Sequence, residues 1–180
     1  MVAGMMTLMG ATTFRLRVWT RYYSSVDEVW AVKTDPACIA AELRPYLQLS
    51  ADSADALLDA VRAGRTLQTD ARLLPFGLSW PIELVESVPG ESFKDTSTNA
   101  IFSRFEHSHV FQPTDDGCRY IDDVVFTPAL PAAKMTAILT RRLFVHRHRV
   151  AAQRLSPDAR TVGTSVLRVL LEEDEDFGMG

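Results

Sequence analysis

Phe105-Glu106-His107-Ser108-His109-Val110-Phe111, followed after Pro113-Thr114-Asp115-Asp116-Gly117 by Tyr120-Ile121-Asp122-Asp123-Val124-Val125-Phe126, is the stretch that decides the fold. Side chains of a strand alternate between its two faces, so Phe105, His107, His109 and Phe111 share one face and Glu106, Ser108 and Val110 the other. The intervening residues are turn formers, and a hairpin pivoting on Asp115 and Asp116 opposes Phe111 with Tyr120, His109 with Asp122 and Phe105 with Phe126. This register matches aromatic to aromatic and acid to imidazole. On the strand before, Asp95 approaches His107. The face carrying two Phe is the concave one, so two imidazoles point into an apolar interior.

Working outward, turn residues at Pro75-Phe76-Gly77, Pro89-Gly90 and Thr98-Asn99 divide the preceding region into extended segments near 65–74, 78–88, 91–98 and 102–112, with a fifth at 118–127. Their short links favour an antiparallel meander. Upstream, Phe14 to Ser24 begins as alternating bulky and basic residues, a half-buried strand. Ser25 followed three residues later by Glu28 is a capping box that opens a helix through Trp30. Asp35-Pro36 stops it and starts another through Ile39 to Leu43, and Ser53 to Ala63 is a third helix ended by Gly64. Downstream, Ala132 to Leu155 holds no Gly or Pro and is the longest helix, with Met135, Leu139, His146 and Val150 on one face. One strand, two short helices, a curved antiparallel sheet and a long C-terminal helix pack economically only if the sheet wraps the helix. The expected class is therefore α+β, a helix-grip fold with a hollow between sheet and helix.

The chain has 180 residues, 47% hydrophobic and 23% charged, with nine Gly and nine Pro, which excludes fibrous, collagenous and wholly disordered proteins. Its net charge of −4 is concentrated in Glu172-Glu173-Asp174-Glu175-Asp176, leaving a nearly neutral body that offers nothing to a nucleic acid. Cys38 and Cys118 stand far apart with no second Cys beside either, so reduced thiols in a cytoplasmic protein are expected. Residues 1–13 contain four Met and no basic residue, unlike a secretory signal, and read as a flexible leader or a start codon placed too early. No apolar run reaches the ~20 residues of a bilayer span, so no integral membrane association is expected. The expected organisation is leader 1–13, domain 14–157 with an inserted helix at 50–63, and a C-terminal extension 158–180 with an acidic tail. Val166 to Leu171 in that extension reads as an extra strand, a short helix or a segment that docks on a partner or closes a homodimer.

Ser25-Val26-Asp27-Glu28-Val29-Trp30, Phe93-Lys94-Asp95, Ile101 to Phe111, Gly117, Asp122 to Pro128 and Leu143-Phe144-Val145-His146-Arg147-His148 occur in the order of a known group. Over roughly residues 14–155 the chain resembles the START-like superfamily, also called SRPBCC, in its bacterial polyketide cyclase/dehydrase and ligand-binding branch. Asn99-Ala100-Ile101 departs from the Gly-Pro usual there, Phe105 replaces a Trp and Cys118 a Thr. The resemblance implies a helix-grip domain whose cavity takes a small or medium hydrophobic ligand, lipid-like or polyketide-like, without a cofactor.

Three roles fit the histidine cluster. His107 and His109 satisfy Asp95 and Asp122 to hold sheet register; or they orient the polar end of an apolar ligand; or one of them moves protons on a carbonyl substrate with Asp122 as its orienter, as in a cyclase or dehydratase. His-x-His on a strand also presents both rings to one side, as several zinc sites do, but the resembled branch is not a metalloprotein group and no metal is expected. His146 and His148 point about 200° apart on a helix and cannot chelate one ion. The expected cavity lining is Trp19, Trp80, Phe93, Phe102, Phe105, Phe126, Met135, Leu139 and Leu143, with Asp95 and the histidines as polar groups and Arg142 placed to reach a ligand carboxylate.

Overall fold

The computed structural model describes residues 11–129 and 133–155 and the backbone of 167–174. The expected leader, apart from its last residues, and the end of the acidic tail lie outside the described residues. Strand β1, Thr13–Tyr22, buries Phe14, Leu16, Val18, Thr20 and Tyr22 and turns Arg15, Arg17, Trp19 and Arg21 outward, as its alternation demands. Helix α1, Val26–Lys33, opens on the Ser25–Glu28 capping box, with Glu28 Oε2 accepting from the Ser25 backbone N–H at 2.8 Å. Helix α2, Pro36–Leu43, starts on Asp35, whose carboxylate caps the Cys38 N–H, with Pro36 in the first turn where no N–H is needed.

A three-residue strand, β2 (Leu47–Leu49), separates α2 from α3 (Ala51–Arg62); it is too short to show a period in the sequence. The meander then runs β3 (Leu67–Leu73), β4 (Leu78–Val88), β5 (Ser92–Ser97), β6 (Phe102–Thr114) and β7 (Gly117–Pro128). The β6–β7 register opposes Phe111 with Tyr120, His109 with Asp122 and Phe105 with Phe126, and β5 sets Asp95 opposite His107. Helix α4, Ala133–Leu155, follows, and β8, Leu167–Asp174, returns antiparallel to β1 with Leu171 opposite Leu16. The extension thus supplies an edge strand to its own sheet. The eight strands lie in the order β2-β3-β4-β5-β6-β7-β1-β8, curved around α4, which is the expected α+β helix-grip architecture.

The core fills the space between the concave face and α4, where Phe14, Leu16, Phe105 and Phe126 from the sheet meet Ala137, Leu143 and Phe144 from the helix. The helix is turned away from the face the sequence favours. Its buried stripe is Thr136, Ala137, Thr140, Leu143, Phe144, Arg147, His148 and Ala151, whereas Met135 is 58% and Leu139 46% exposed. Polar residues at four of the eight buried positions hide the stripe from a reading that follows hydrophobicity alone.

Candidate functional site

Asp122, wholly buried on β7, is the hub of a polar cluster. Its Oδ1 lies 3.0 Å from His107 Nε2, 3.2 Å from His109 Nδ1 and 2.5 Å from the Tyr120 hydroxyl, which donates to it. Its Oδ2 stands 3.2 Å from His148 Nε2, and the other nitrogen of His148 meets the Thr20 hydroxyl at 2.8 Å. Asp95 closes the opposite side, with Oδ2 3.2 Å from His107 Nδ1 and 3.1 Å from His109 Nε2. The Phe93 ring stacks on His109 with centroids 3.7 Å apart and fixes the plane of that imidazole.

A second buried group flanks the first. Lys33 on α1 donates to Glu42 on α2 at 2.6 Å, and Arg147 on α4 reaches the same Glu42 oxygen at 3.3 Å. The Lys33 ammonium also lies over the Tyr120 ring, 4.4 Å from its centroid. Burial by itself raises the Asp122 carboxyl, but the Arg147 charge and then His107 outweigh it and hold Asp122 well below the usual carboxylate range. Burial works against a charge on His107, yet Asp95 and Asp122 on either side raise its pKa. At His109 burial, reinforced by the neighbouring His107, lowers the pKa, and burial does the same at His148. Cys38 and Cys118 are free and buried; burial pushes their thiols up to about 12 and about 11, away from the thiolate form.

Asp95, His107 and His109 form one wall of an inner cavity of about 60 Å³, whose other polar lining is Lys33 and Arg147 and whose apolar lining includes Leu84, Phe93, Phe105 and Phe144. Beside it an apolar cleft of about 300 Å³ opens between the β3–β4 turn, Ile101 and α4, lined by Tyr46, Phe76, Phe102 and Leu139 among others. Leu47, Trp80 and Leu143 line both spaces and stand between them.

Of the residues expected at a cavity, Trp80, Phe93, Asp95, Phe105, His107, His109 and Leu143 line the inner space, and Phe102 and Leu139 line the outer cleft. Phe126 is fully buried core, and Asp122 lies behind the histidines and lines neither space. Phe126 is thereby corrected from cavity lining to core, and three further positions are corrected. Trp19 belongs to the outward set of β1, one residue out of phase with Val18 and Thr20. Met135 is largely exposed, because α4 presents Thr136 and Ala137 inward instead. Arg142 is exposed, and the arginine that enters the interior is Arg147, one turn beyond Leu143 on the buried stripe. Lys33, Glu42, Tyr120 and His148 also belong to the cluster. Tyr120 shares the face of Asp122, which the period of two shows; for the others no local pattern marks a buried charge.

Over residues 20–155 the chain matches the family described as a domain of unknown function, DUF8410, and it belongs to that family. No curated protein matches it in sequence. Among solved structures it is similar to the di-domain ARO/CYC protein StfQ of the steffimycin biosynthetic pathway, at 15% identity and a TM-score of 0.60, covering 83% of this chain and 53% of that one. It is also similar to norcoclaurine synthase from Thalictrum flavum in complex with dopamine and hydroxybenzaldehyde, at 10% identity and a TM-score of 0.56, covering 88% and 95% of the two chains. Ara h 8.0201 superposes at 8% identity with a TM-score of 0.58, covering 81% and 99%. At these identities the likeness establishes the fold alone, an α+β helix grip. No helix among the described residues is long and apolar enough to cross a membrane.

Proposed function

We propose that this protein binds a compact hydrophobic molecule, holding its apolar body in the outer cleft and directing a polar group past Leu47, Trp80 and Leu143 toward Asp95, His107 and His109. The observation that carries this reading is the sharing of Leu47, Trp80 and Leu143 by an apolar outer cleft and an inner cavity that has Asp95, His107 and His109 as one polar wall. The inner space of about 60 Å³ is well under the roughly 300–1,000 Å³ of pockets that enclose whole ligands, so it accepts a head group while the cleft accepts the body. A single aromatic ring with a carbonyl or hydroxyl substituent fits this division better than a long lipid chain. Norcoclaurine synthase, which is similar in fold, is seen with two molecules of that size.

Native mass spectrometry of the freshly purified protein, followed by thermal-shift measurements across an apolar and aromatic library, tests the reading. A co-purifying compound or a saturable upward shift supports it; an empty protein with no shift across the library contradicts it.

A second reading, an enzyme of cyclase or dehydratase type, is favoured by the placement of Lys33 and Arg147 on the same cavity as the two imidazoles. A substrate carbonyl oxygen there would meet positive charge while a histidine moves a proton. His109→Ala and Asp122→Asn are then expected to abolish turnover while the fold is retained.

A further inference from the structure

We propose that Asp95, His107 and His109 form a mononuclear site for a divalent transition-metal cation, with its open coordination positions facing the inner cavity. Each of the three side chains offers one ligand atom within 4.8 Å of the other two. They come from adjacent strands in fixed register, Asp95 directly opposite His107 and His109 two residues further along the same face. Asp95 Oδ2 is 3.2 Å from His107 Nδ1 and 3.1 Å from His109 Nε2, so a modest closing around a central ion gives bonds of the usual length, about 2.0–2.2 Å to imidazole nitrogen and carboxylate oxygen.

Counting protons supplies the strongest reason. Tyr120 carries one hydroxyl hydrogen and lies 2.5 Å from Asp122 Oδ1 and 2.7 Å from His109 Nδ1. An ionised carboxylate only accepts, so the hydrogen goes to Asp122, and His109 Nδ1 donates to the Tyr120 oxygen. His107 Nε2, 3.0 Å from Asp122 Oδ1, must donate as well. A neutral imidazole has a single N–H, and both are now spent on the side away from Asp95. Two bare ring nitrogens and a carboxylate oxygen therefore converge, and that arrangement calls for positive charge between them. One added proton makes His107 an imidazolium that donates to Asp95 as well as Asp122, yet leaves the bare His109 Nε2 3.1 Å from Asp95 Oδ2; a second makes two imidazolium ions with ring centroids 3.8 Å apart, which repel. One divalent cation places the same charge at a single point, with neutral imidazoles and a carboxylate as its ordinary ligands.

The surroundings fit. A metal-bound histidine that hands its other N–H to a carboxylate or a neighbouring oxygen is held in the correct tautomer and orientation, which is what Asp122 and Tyr120 do here. Lys33 and Arg147 line the same cavity and oppose a cation, but both lean on Glu42. Across the whole cluster three carboxylates, Glu42, Asp95 and Asp122, face those two bases. The cavity beside the three ligands has room for a few water molecules to complete the coordination shell.

The inference goes beyond carriage of a hydrophobic ligand and is tested without any organic compound, so the two readings fail separately. Chelator-treated full-length protein is titrated with Co²⁺, read by its visible ligand-field bands, and with Zn²⁺, read by calorimetry. One ion per chain is expected, with affinity lowered more than ~100-fold in Asp95→Ala and His109→Gln, and about 10–100-fold in Asp122→Asn, which loses only the orienting partner. His146→Gln, outside the cluster, is expected to bind as the parent does. Should Asp95→Ala fail to fold by circular dichroism, proton NMR of the Co²⁺-loaded parent decides: two exchangeable, hyperfine-shifted imidazole N–H signals are expected. Absence of binding by folded parent protein at millimolar Co²⁺ and Zn²⁺ overturns the proposal, as does unchanged affinity in folded His109→Gln or the lack of shifted imidazole signals.

Discussion

Lys33 and Glu42 form an ion pair at 2.6 Å with side chains only 1% and 2% exposed, joining the end of α1 to α2 beneath α4. Removing one partner of such a pair leaves a charge in a medium that cannot solvate it. Lys33→Met is therefore expected to destabilise the fold by about 3–5 kcal/mol, toward the lower figure because Arg147 still faces Glu42. Urea unfolding at neutral pH measures it.

Glu42 also sets part of the acid sensitivity. Burial by itself raises its carboxyl, but Lys33 and then Arg147 outweigh burial and hold it below the usual glutamate value. A group depressed in the folded state contributes stability that is present above its unfolded pKa of about 4.3 and is lost as pH falls through the lower, folded value. Stability of the parent is expected to fall as pH drops below about 4.3. Glu42→Gln is expected to be less stable at pH 7 and to lose less over that interval, as followed by unfolding free energy against pH.

The β6–β7 hairpin depends on a missing side chain. Gly117 has φ of 154°, and a Cβ there would stand 2.1 Å from the Tyr22 carbonyl oxygen at the end of β1. Gly77 and Gly90 have positive φ but open space around them, so alanine meets only backbone strain, roughly 1–2 kcal/mol. Gly117→Ala is expected to cost clearly more than either, because β1 and the hairpin must separate. Thermal unfolding of the three variants side by side gives the order.

Leu143 is part of the partition between cleft and cavity and also part of the core. Leu143→Ala is expected to lower stability by about 2–5 kcal/mol and yet to quicken the entry of an apolar probe, since the partition loses a side chain. Stopped-flow quenching of tryptophan fluorescence, with Trp80 in the same partition, reads the second effect against equilibrium unfolding for the first.

Much of this architecture is legible in the chain. Strand alternation and turn chemistry around Asp115 and Asp116 specify the β6–β7 register to the residue, and with it the meeting of His109 and Asp122. The Ser25–Glu28 pattern specifies the start of α1. What escapes is whatever depends on rotation about a helix axis or on partners distant in sequence. The inner face of α4 carries Thr136, Thr140, Arg147 and His148, so its hydrophobic period points elsewhere, and Met135 and Arg142 are misplaced for that reason. Arg147 is acceptable inside because Asp122 and Glu42, 25 and 105 residues earlier, compensate its charge. Trp19 is misjudged differently: its bulk suggests burial, but its parity on β1 sends it outward with Arg17 and Arg21. The apolar segment expected at Val166 to Leu171 is short enough to be strand or helix alone, and for its described part, from Leu167 on, only pairing with β1 decides it.

The central claim is that a compact hydrophobic molecule enters through the apolar cleft and meets the polar wall beyond Trp80. The most direct measurement is isotope-filtered NMR on methyl-labelled protein with the tightest-binding compound of the aromatic library. Intermolecular contacts from the compound to the Leu47 and Leu143 methyl groups, with shifts at the His107 and His109 rings, are the predicted result. Contacts confined to other surfaces, or none from any compound in the library, would contradict it.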